Sequence, residues 1–209
     1  MFDARLRPLI DPPLNAVGRL LAGMGIGANA VTLAALAPGI AAAFAIAYHH
    51  YLVALALILL NRLLDGLDGA VARATRTSDF GGFLDIVADF IFYIAVPIGF
   101  GVALPANALP ALWLASSFAL TGISFLAFAT LAAKRGVETT AHGQKSFFYD
   151  TGLAEGTETI LVFVLMCLSP AWFAIIAHGY AALCGLTVLQ RCLSAWRTFD
   201  NVNENQDRR

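Results

Sequence analysis

The sequence predicts an all-α integral membrane protein: six transmembrane helices preceded by an amphipathic helix lying on the membrane surface. Three observations lead there. Of 209 residues, 59% are hydrophobic and only 13% charged, with a mean hydropathy of +0.73, whereas a soluble domain of this size carries roughly a quarter charged residues. The apolar excess is gathered into windows of about 20 residues, the length that crosses a bilayer as a helix. Finally, every Lys and Arg falls on one side of the topology those windows define, as the positive-inside rule requires.

The elements follow in order. Residues 1–27 mix Leu6, Ile10, Leu14, Val17 and Leu20 with Arg5, Arg7 and Arg19, the pattern of an interfacial helix, with a kink expected at Pro12-Pro13. Arg19 and the proline pair interrupt any central apolar run, so the stretch does not read as a cleaved signal. Spans are expected at roughly 29–48, 51–73, 80–101, 110–133, 153–169 and 171–194, and a polar cytoplasmic tail at 199–209. Residues 28–198 thus form a six-helix bundle within a single domain, without internal repeats or low-complexity tracts. Cys167, Cys184 and Cys192 lie in apolar segments without CxxC spacing and are expected to be small buried hydrophobes.

Orientation follows from the basic residues. Arg5, Arg7 and Arg19 precede the first span, and Arg62, Arg73 and Arg76 lie near the turn between spans two and three. Lys134, Arg135 and Lys145 fall in the loop between spans four and five, and Arg191, Arg197, Arg208 and Arg209 close the chain. The opposite face offers only YHHY, GVALPANALP and LSPAW. Both termini are therefore expected on the cytoplasmic side, in a membrane of the bacterial inner (cytoplasmic) type.

At that side the stretch LLDGLDGAVARATRTSDFGGFLDIVADF holds Asp65, Asp68, Asp85 and Asp89. Counting inward from Tyr51 at ~1.5 Å per residue places Asp65 at a depth of ~20 Å. Asp65 and Asp68 are three apart and Asp85 and Asp89 four apart, so each pair occupies one helical face. Two antiparallel helices joined by a short turn bring the pairs together. Ion pairing with Arg62, Arg73 and Arg76 is the plain alternative, but no basic residue lies near Asp85 or Asp89 in sequence. Four carboxylates in a low dielectric repel one another, and all-oxygen ligation selects Mg²⁺, Mn²⁺ or Ca²⁺. A bound divalent cation is the expected answer, and ionisable groups inside a membrane mark function. Gly66, Gly69, Gly81 and Gly82 beside the acids serve either close helix packing or the approach of a ligand to the backbone. Arg73 lies about one turn beyond Asp68 and Gly69, placed to meet an anion held by the same metals.

These residues resemble the signature of the CDP-alcohol phosphotransferase (CDP-alcohol phosphatidyltransferase) family, D-x2-D-G-x2-A-R, a spacer, then G-x3-D-x3-D. Asp65, Asp68, Gly69, Ala72, Arg73, Gly81, Asp85 and Asp89 occupy its eight positions. The spacer from Arg73 to Gly81 is seven residues, shorter than the eight or nine of the pattern. GANAVT is similar to the family's Pro-Asn-x-x-Thr at the start of the first span, with Asn29 and Thr32 matching and Ala28 in place of proline. GLAEGTET is similar to the Gly-x-Ala-Glu-Arg-Pro-Glu-Arg that opens the fifth span. Glu155 and Glu158 match, and Gly156 and Thr159 stand where the arginines would be.

The resemblance implies transfer of a phosphatidyl (substituted phosphate) group from a CDP-linked lipid such as CDP-diacylglycerol to a small alcohol, releasing CMP, in phospholipid biosynthesis. It implies Mg²⁺ or Mn²⁺, as two ions, with Asp65, Asp68 and Asp85 as primary ligands. Asp89 would stay close to the metals and act as general base. Asn29, Thr32, Asp65, Gly69, Ala72, Arg73 and Gly81 would line the CDP site, with Arg73 on the phosphates. A homodimer is implied too, with the small-residue faces of spans three and four as candidate contacts. No nucleic-acid partner is expected. In relatives that use phosphorylated alcohols, basic residues at the start of the fifth span neutralise the acceptor's phosphate. Here Glu155 and Glu158 stand there without arginine, so a neutral, zwitterionic or amine-bearing acceptor is expected, touched by one of them. Lys145 and Arg191 are the cations left for an acceptor role.

Two other classes compete. A divalent-cation transporter would continue its polar residues across the membrane, whereas YLVALALILL and FIFYIAVPIGF are apolar apart from tyrosine. A non-catalytic scaffold has no need to keep every acid. Covalent catalysis is disfavoured, because no Ser or Cys sits beside a plausible base. His49 and His50 fall on the opposite face, His178 deep in the sixth span and His142 in a loop. The enzyme reading follows.

Overall fold

A computed structural model describes residues 3–135 and 156–200, with side chains over 10–135 and 156–199. Among the described residues the chain is helical throughout: α1 Asp3–Gly23, α2 Ala28–Ala47, α3 Tyr51–Ala74, α4 Asp79–Ala103, α5 Ala108–Lys134, α6 Gly156–Leu168 and α7 Phe173–Asp200. Short 3₁₀ turns at Pro105–Asn107 and Pro170–Trp172 precede α5 and α7. The expected boundaries of the first four spans lie within two residues of α2 to α5. The last helix runs six residues further than expected, to Asp200.

Among the described residues, four segments are long and apolar enough to cross a membrane: 28–47, 79–103, 105–134 and 170–199. The helix α3 has the length, 24 residues, but carries Arg62, Asp65, Asp68 and Arg73 in its second half. Described over 13 residues, α6 reaches about 20 Å, less than the ~30 Å hydrocarbon core. The outer faces suit lipid, since the exposed side chains are themselves large and apolar, among them Leu52, Phe44, Ile123 and Ile175.

The turns have local causes. Between α1 and α2 the chain reverses through Gly25 at φ +79°, a conformation open to glycine, and between α2 and α3 through His49 at φ +64°. Ser78 caps α4, its Oγ accepting from the Gly81 amide at 3.0 Å. That cap closes a four-residue connection between α3 and α4, both of which pack against α2.

Packing is densest where α2 lies against α3 and α4 and where α5 meets α7. The main core joins Ile46, Ile58, Phe92, Phe100, Leu114, Phe118, Phe163 and Phe173, and its rings interlock: Phe100 stacks on Phe173 at 4.4 Å, and Phe92 and Phe118 meet Phe163 edge-on at 5.7 and 5.8 Å. A smaller cluster of Val31, Leu67 and Val71 with Leu14, Leu21 and Ile26 ties α1, α2 and α3 together at the other end. There α1 spans Asp3–Gly23, with Pro12 and Pro13 inside the helix. Gly18 lets it seat on α3, since a Cβ there would come within 2.8 Å of Ala70, and Gly66 makes room for Leu14. Cys167 and Cys184 are buried as expected, but Cys192 on α7 is exposed. His178 is exposed as well, its Nδ1 within 2.7 Å of the Ala174 carbonyl.

Candidate active site

The second half of α3 and the first half of α4 carry the acids, and with both helices packed on α2 three of the acids come together. One carboxylate oxygen from each of Asp65, Asp68 and Asp85 lies within 4.8 Å of the others. Two oxygens on opposite sides of one hard cation, each at 2.0–2.6 Å, would stand about 4–5 Å apart, and all three donors are oxygens, so the cluster fits such an ion. Asp68 is the best fixed of the three. It is 6% exposed, and Thr32 Oγ1 on α2 donates to its Oδ2 at 2.6 Å.

Asp89, expected as a fourth ligand, lies outside that group among the described residues. Its Oδ1 instead meets Nη2 of Arg62 at 2.9 Å. This corrects the expectation that ion pairing fails for the acids of the third span, which have no basic residue within reach in sequence: Asp89 has one in space. Sequence distance misled, because the arginine comes from the facing helix. Arg62 also reaches Asp65 Oδ2 and the Tyr93 hydroxyl from Nη1, both at 3.4 Å, and donates from Nε to Asn61 Oδ1 at 2.8 Å. Its guanidinium lies 4.5 Å from the Phe92 ring centre. Asn61 in turn donates to the Ala35 carbonyl of α2 at 2.8 Å, which fixes the whole arrangement to a third helix.

Of the residues expected around a CDP group, Asn29 and Gly81 approach each other, a Cβ at Gly81 standing 3.1 Å from Asn29 Oδ1, while Thr32 is bonded to Asp68. Gly69 lies close to Arg73, whose Nη1 would be 3.3 Å from a Cβ at Gly69, and Ala72 is half-buried. Nε and Nη2 of Arg73 both donate to Oδ1 of Asn15 on α1, at 3.2 and 2.9 Å. Of the four glycines near the acids, Gly66 serves packing, whereas a Cβ at Gly82 would meet nothing within 4 Å.

The acceptor candidates scatter. Lys145 and Glu155 lie outside the described residues. Glu158 sits in the first turn of α6 with its Oε2 buried. Thr159 beside it is buried and hydrogen-bonds Tyr180 OH of α7 at 2.9 Å. Arg191 is buried between α7 and α5, its Nη1 donating to the Thr121 carbonyl at 2.8 Å and to Ser124 Oγ at 3.3 Å.

Sequence reasoning missed Arg62, Asn61, Tyr93 and Asn15 as members of the site. A signal existed for Arg62, three residues before Asp65 on the same face and inside an apolar helix, where an arginine must find partners. None existed for Asn15, which reaches Arg73 across 58 residues.

Comparison with known proteins places this geometry in context. The CDP-alcohol phosphatidyltransferase family model matches residues 26–190. The chain is 50% identical over 203 residues to the inner membrane protein YnjF of Escherichia coli (strain K12), covering 97% of this chain and 98% of that one. It is 28% identical over 193 residues to the archaetidylinositol phosphate synthase of Pyrococcus horikoshii, covering 92% of this chain and 95% of that one. In fold it is similar to the phosphatidylinositol phosphate synthase PgsA1 of Mycobacterium tuberculosis, solved with CDP-DAG bound. The TM-score is 0.67 at 21% identity, over 88% of this chain and 93% of that structure. The same protein solved with manganese and citrate matches with an equal TM-score, over 88% of each chain.

Proposed function

The chain belongs to the CDP-alcohol phosphatidyltransferase family and is an enzyme of that class, and on that premise we propose that it moves the phosphatidyl group of CDP-diacylglycerol, or a similar CDP-linked lipid, to a small alcohol. The observation that carries this is the Asp65–Asp68–Asp85 cluster, with one oxygen of each carboxylate within 4.8 Å of the others. The donor reading is supported by the CDP-DAG in the PgsA1 structure. Mg²⁺ or Mn²⁺, in the form of two ions, is the proposed cofactor, which the manganese complex of PgsA1 supports.

Asp65, Asp68 and Asp85 would hold the metal, which when bound neutralises negative charge on the diphosphate oxygens. Arg73 adds a fixed cation for the same diphosphate, and Gly69 and Gly81 leave the backbone open to the nucleotide, with Asn29, Thr32 and Ala72 around it. Asp89 takes the proton as the acceptor's O–H bond breaks. The acceptor oxygen bonds to the lipid-side phosphorus, the bond from that phosphorus to the bridging oxygen breaks, and CMP leaves with the electron pair.

The acceptor we propose is neutral, zwitterionic or amine-bearing. Thr159 is bonded to Tyr180 and Arg191 to α5, so α6 and α7 commit their polar groups to each other and to α5, beside the carboxylate of Glu158. The name of the archaeal relative points the other way, to a phosphorylated polyol. A panel of serine, glycerol, ethanolamine, glycerol 3-phosphate and inositol phosphate, read by CMP release from CDP-diacylglycerol, separates the two. Efficient use of either phosphate, unaltered in Glu158→Gln, overturns this acceptor reading.

For the membrane we propose that α2 to α7 are six spans, with α1 on the surface and both termini and the acids on the cytoplasmic side. A single cysteine placed at Thr77 should label only from that side, and one at Ala106 only from the other. We also propose a homodimer through α4 and α5, where an apolar groove of about 610 Å³ is lined by Val87, Phe90, Ile91, Gly122 and Ile123. Only monomer in a mass measurement from native-like lipid removes that proposal.

A further inference from the structure

An arginine exposed near the end of a helix ordinarily turns freely on its stem, yet Arg73 is held. It stands one turn past Gly69 on α3, and its side chain lies back toward that glycine, as helical side chains lean toward the N-terminus of their own helix. Nη1 comes to the backbone there, where a Cβ at Gly69 would meet it at 3.3 Å. The other two nitrogens go to α1: Nε and Nη2 both donate to Oδ1 of Asn15, at 3.2 and 2.9 Å. A planar fork gripped along one edge has its orientation set. Among the described residues the hydrogen bonds of Arg73 all go to Asn15, which leaves Nη1 beside Gly69, the residue after Asp68.

The seat of α1 on α3 makes this contact. Leu14 and Gly18 share one face of α1 and meet Gly66 and Ala70, which share one face of α3. A Cβ at Gly18 would come within 2.8 Å of Ala70, and a Cβ at Gly66 within 2.9 Å of Leu14 Cδ1. Leu14 and Leu21 also pack against the buried cluster of Val31, Leu67 and Val71. Asn15, next to Leu14, is thereby carried to Arg73.

We propose that Asn15 is a positioning residue for the nucleotide-linked donor: α1, when seated, holds Arg73 through Asn15 with Nη1 left for the diphosphate, so the surface helix is part of the donor site. This rests on the donor reading made above and deepens it. A guanidinium already oriented loses less freedom when the diphosphate arrives. The contact acts alike before and during the transfer, so its loss shows in KM and leaves kcat in place. A side chain that merely supported the fold would lower stability, and would do so whether or not Arg73 were present.

The experiment is a double-mutant cycle on the full chain in lipid nanodiscs: wild type, Asn15→Ala, Arg73→Met and the double variant. It reads kcat and KM for CMP release from CDP-diacylglycerol with the acceptor panel, Kd for CDP with Mn²⁺ present, and the thermal midpoint. Asn15→Ala should raise KM and Kd about 10-fold, with kcat within about 3-fold and the midpoint within about 3 °C. Arg73→Met should raise both about 100-fold, and Asn15→Ala added to it should change them by less than about 2-fold. Gly18→Val, which unseats α1 without touching Arg73, should repeat the rise seen in Asn15→Ala. The cycle decides even where Gly18→Val is not recovered folded. Wild-type KM and Kd in Asn15→Ala, or an equal loss from Asn15→Ala with and without Arg73, overturns the proposal. Arg73→Met with wild-type KM and Kd overturns the donor role of Arg73, and this role for Asn15 with it. If the acceptor panel yields no CMP, the reaction proposed above fails, while the cycle read in Kd still decides the role of Asn15.

Discussion

The two ends of the α3–α4 pair are built from different forces. From Tyr51 to Leu60 and from Phe90 to Ala103 the chain carries no charged residue. That end closes by shape: Gly99 lies so near the Ala43 backbone that a Cβ could not be added, and Phe100 stacks between Tyr51 at 5.8 Å and Phe173 at 4.4 Å. At the other end, one or two turns along the same helices, polar groups hold the structure: Thr32 on Asp68, Arg62 on Asp89, Asn61 on Ala35, Asn15 on Arg73. Lipid tails are as apolar as leucine, so helices in a membrane gain little from burying apolar surface and rely on fit. Fit at one end provides the frame. Against it, a set of carboxylates that would repel one another is kept assembled at the other end, ready for a cation.

Mutations at the two ends should therefore separate turnover from stability. Asp68→Ala removes the most buried member of the acid cluster and should abolish Mn²⁺ binding and CMP release together, a loss of more than about 1,000-fold in rate. Asp89→Asn should lower kcat by about 100-fold or more, the usual contribution of a general base, while Mn²⁺ still binds. Near-normal turnover in that variant removes Asp89 as the base. Thr32→Val deletes one charge-assisted hydrogen bond, commonly worth about 1.5–3 kcal/mol, and should weaken Mn²⁺ binding by about 10-fold with the fold intact. Phe100→Ala at the packed end should leave kcat within about 3-fold and lower stability by about 3–5 kcal/mol, read as a fall in the thermal midpoint in detergent. A Phe100→Ala enzyme that keeps its midpoint but loses activity contradicts the division between the ends.

What was legible in the sequence follows the range of the forces involved. The acids at spacings of three and four, and the apolar runs between them, are local patterns, and α2 to α5 lie within two residues of the expected spans. The short connection at 75–78 made the approach of Asp65 and Asp68 to Asp85 readable as well. The partner of Asp89 was not readable, because Arg62 lies 27 positions away and its choice among several acids depends on how α3 and α4 are each seated on α2. Asn15 is a harder case, reaching Arg73 only because Gly18 and Gly66 let α1 seat closely on α3. The exposed Cys192 shows the same limit: an apolar segment in a membrane protein fixes neither which face turns inward nor which turns to lipid.

The most direct test titrates Mn²⁺ into purified, chelator-treated protein supplied with CDP-diacylglycerol and the acceptor panel, following bound Mn²⁺ and CMP release in the same samples. CMP release should be absent in chelator and should rise in step with occupancy of a site that Asp68→Ala abolishes. CMP release at an undiminished rate without divalent metal, or in Asp68→Ala, would contradict the assignment of the Asp65–Asp68–Asp85 cluster as the metal centre of the reaction.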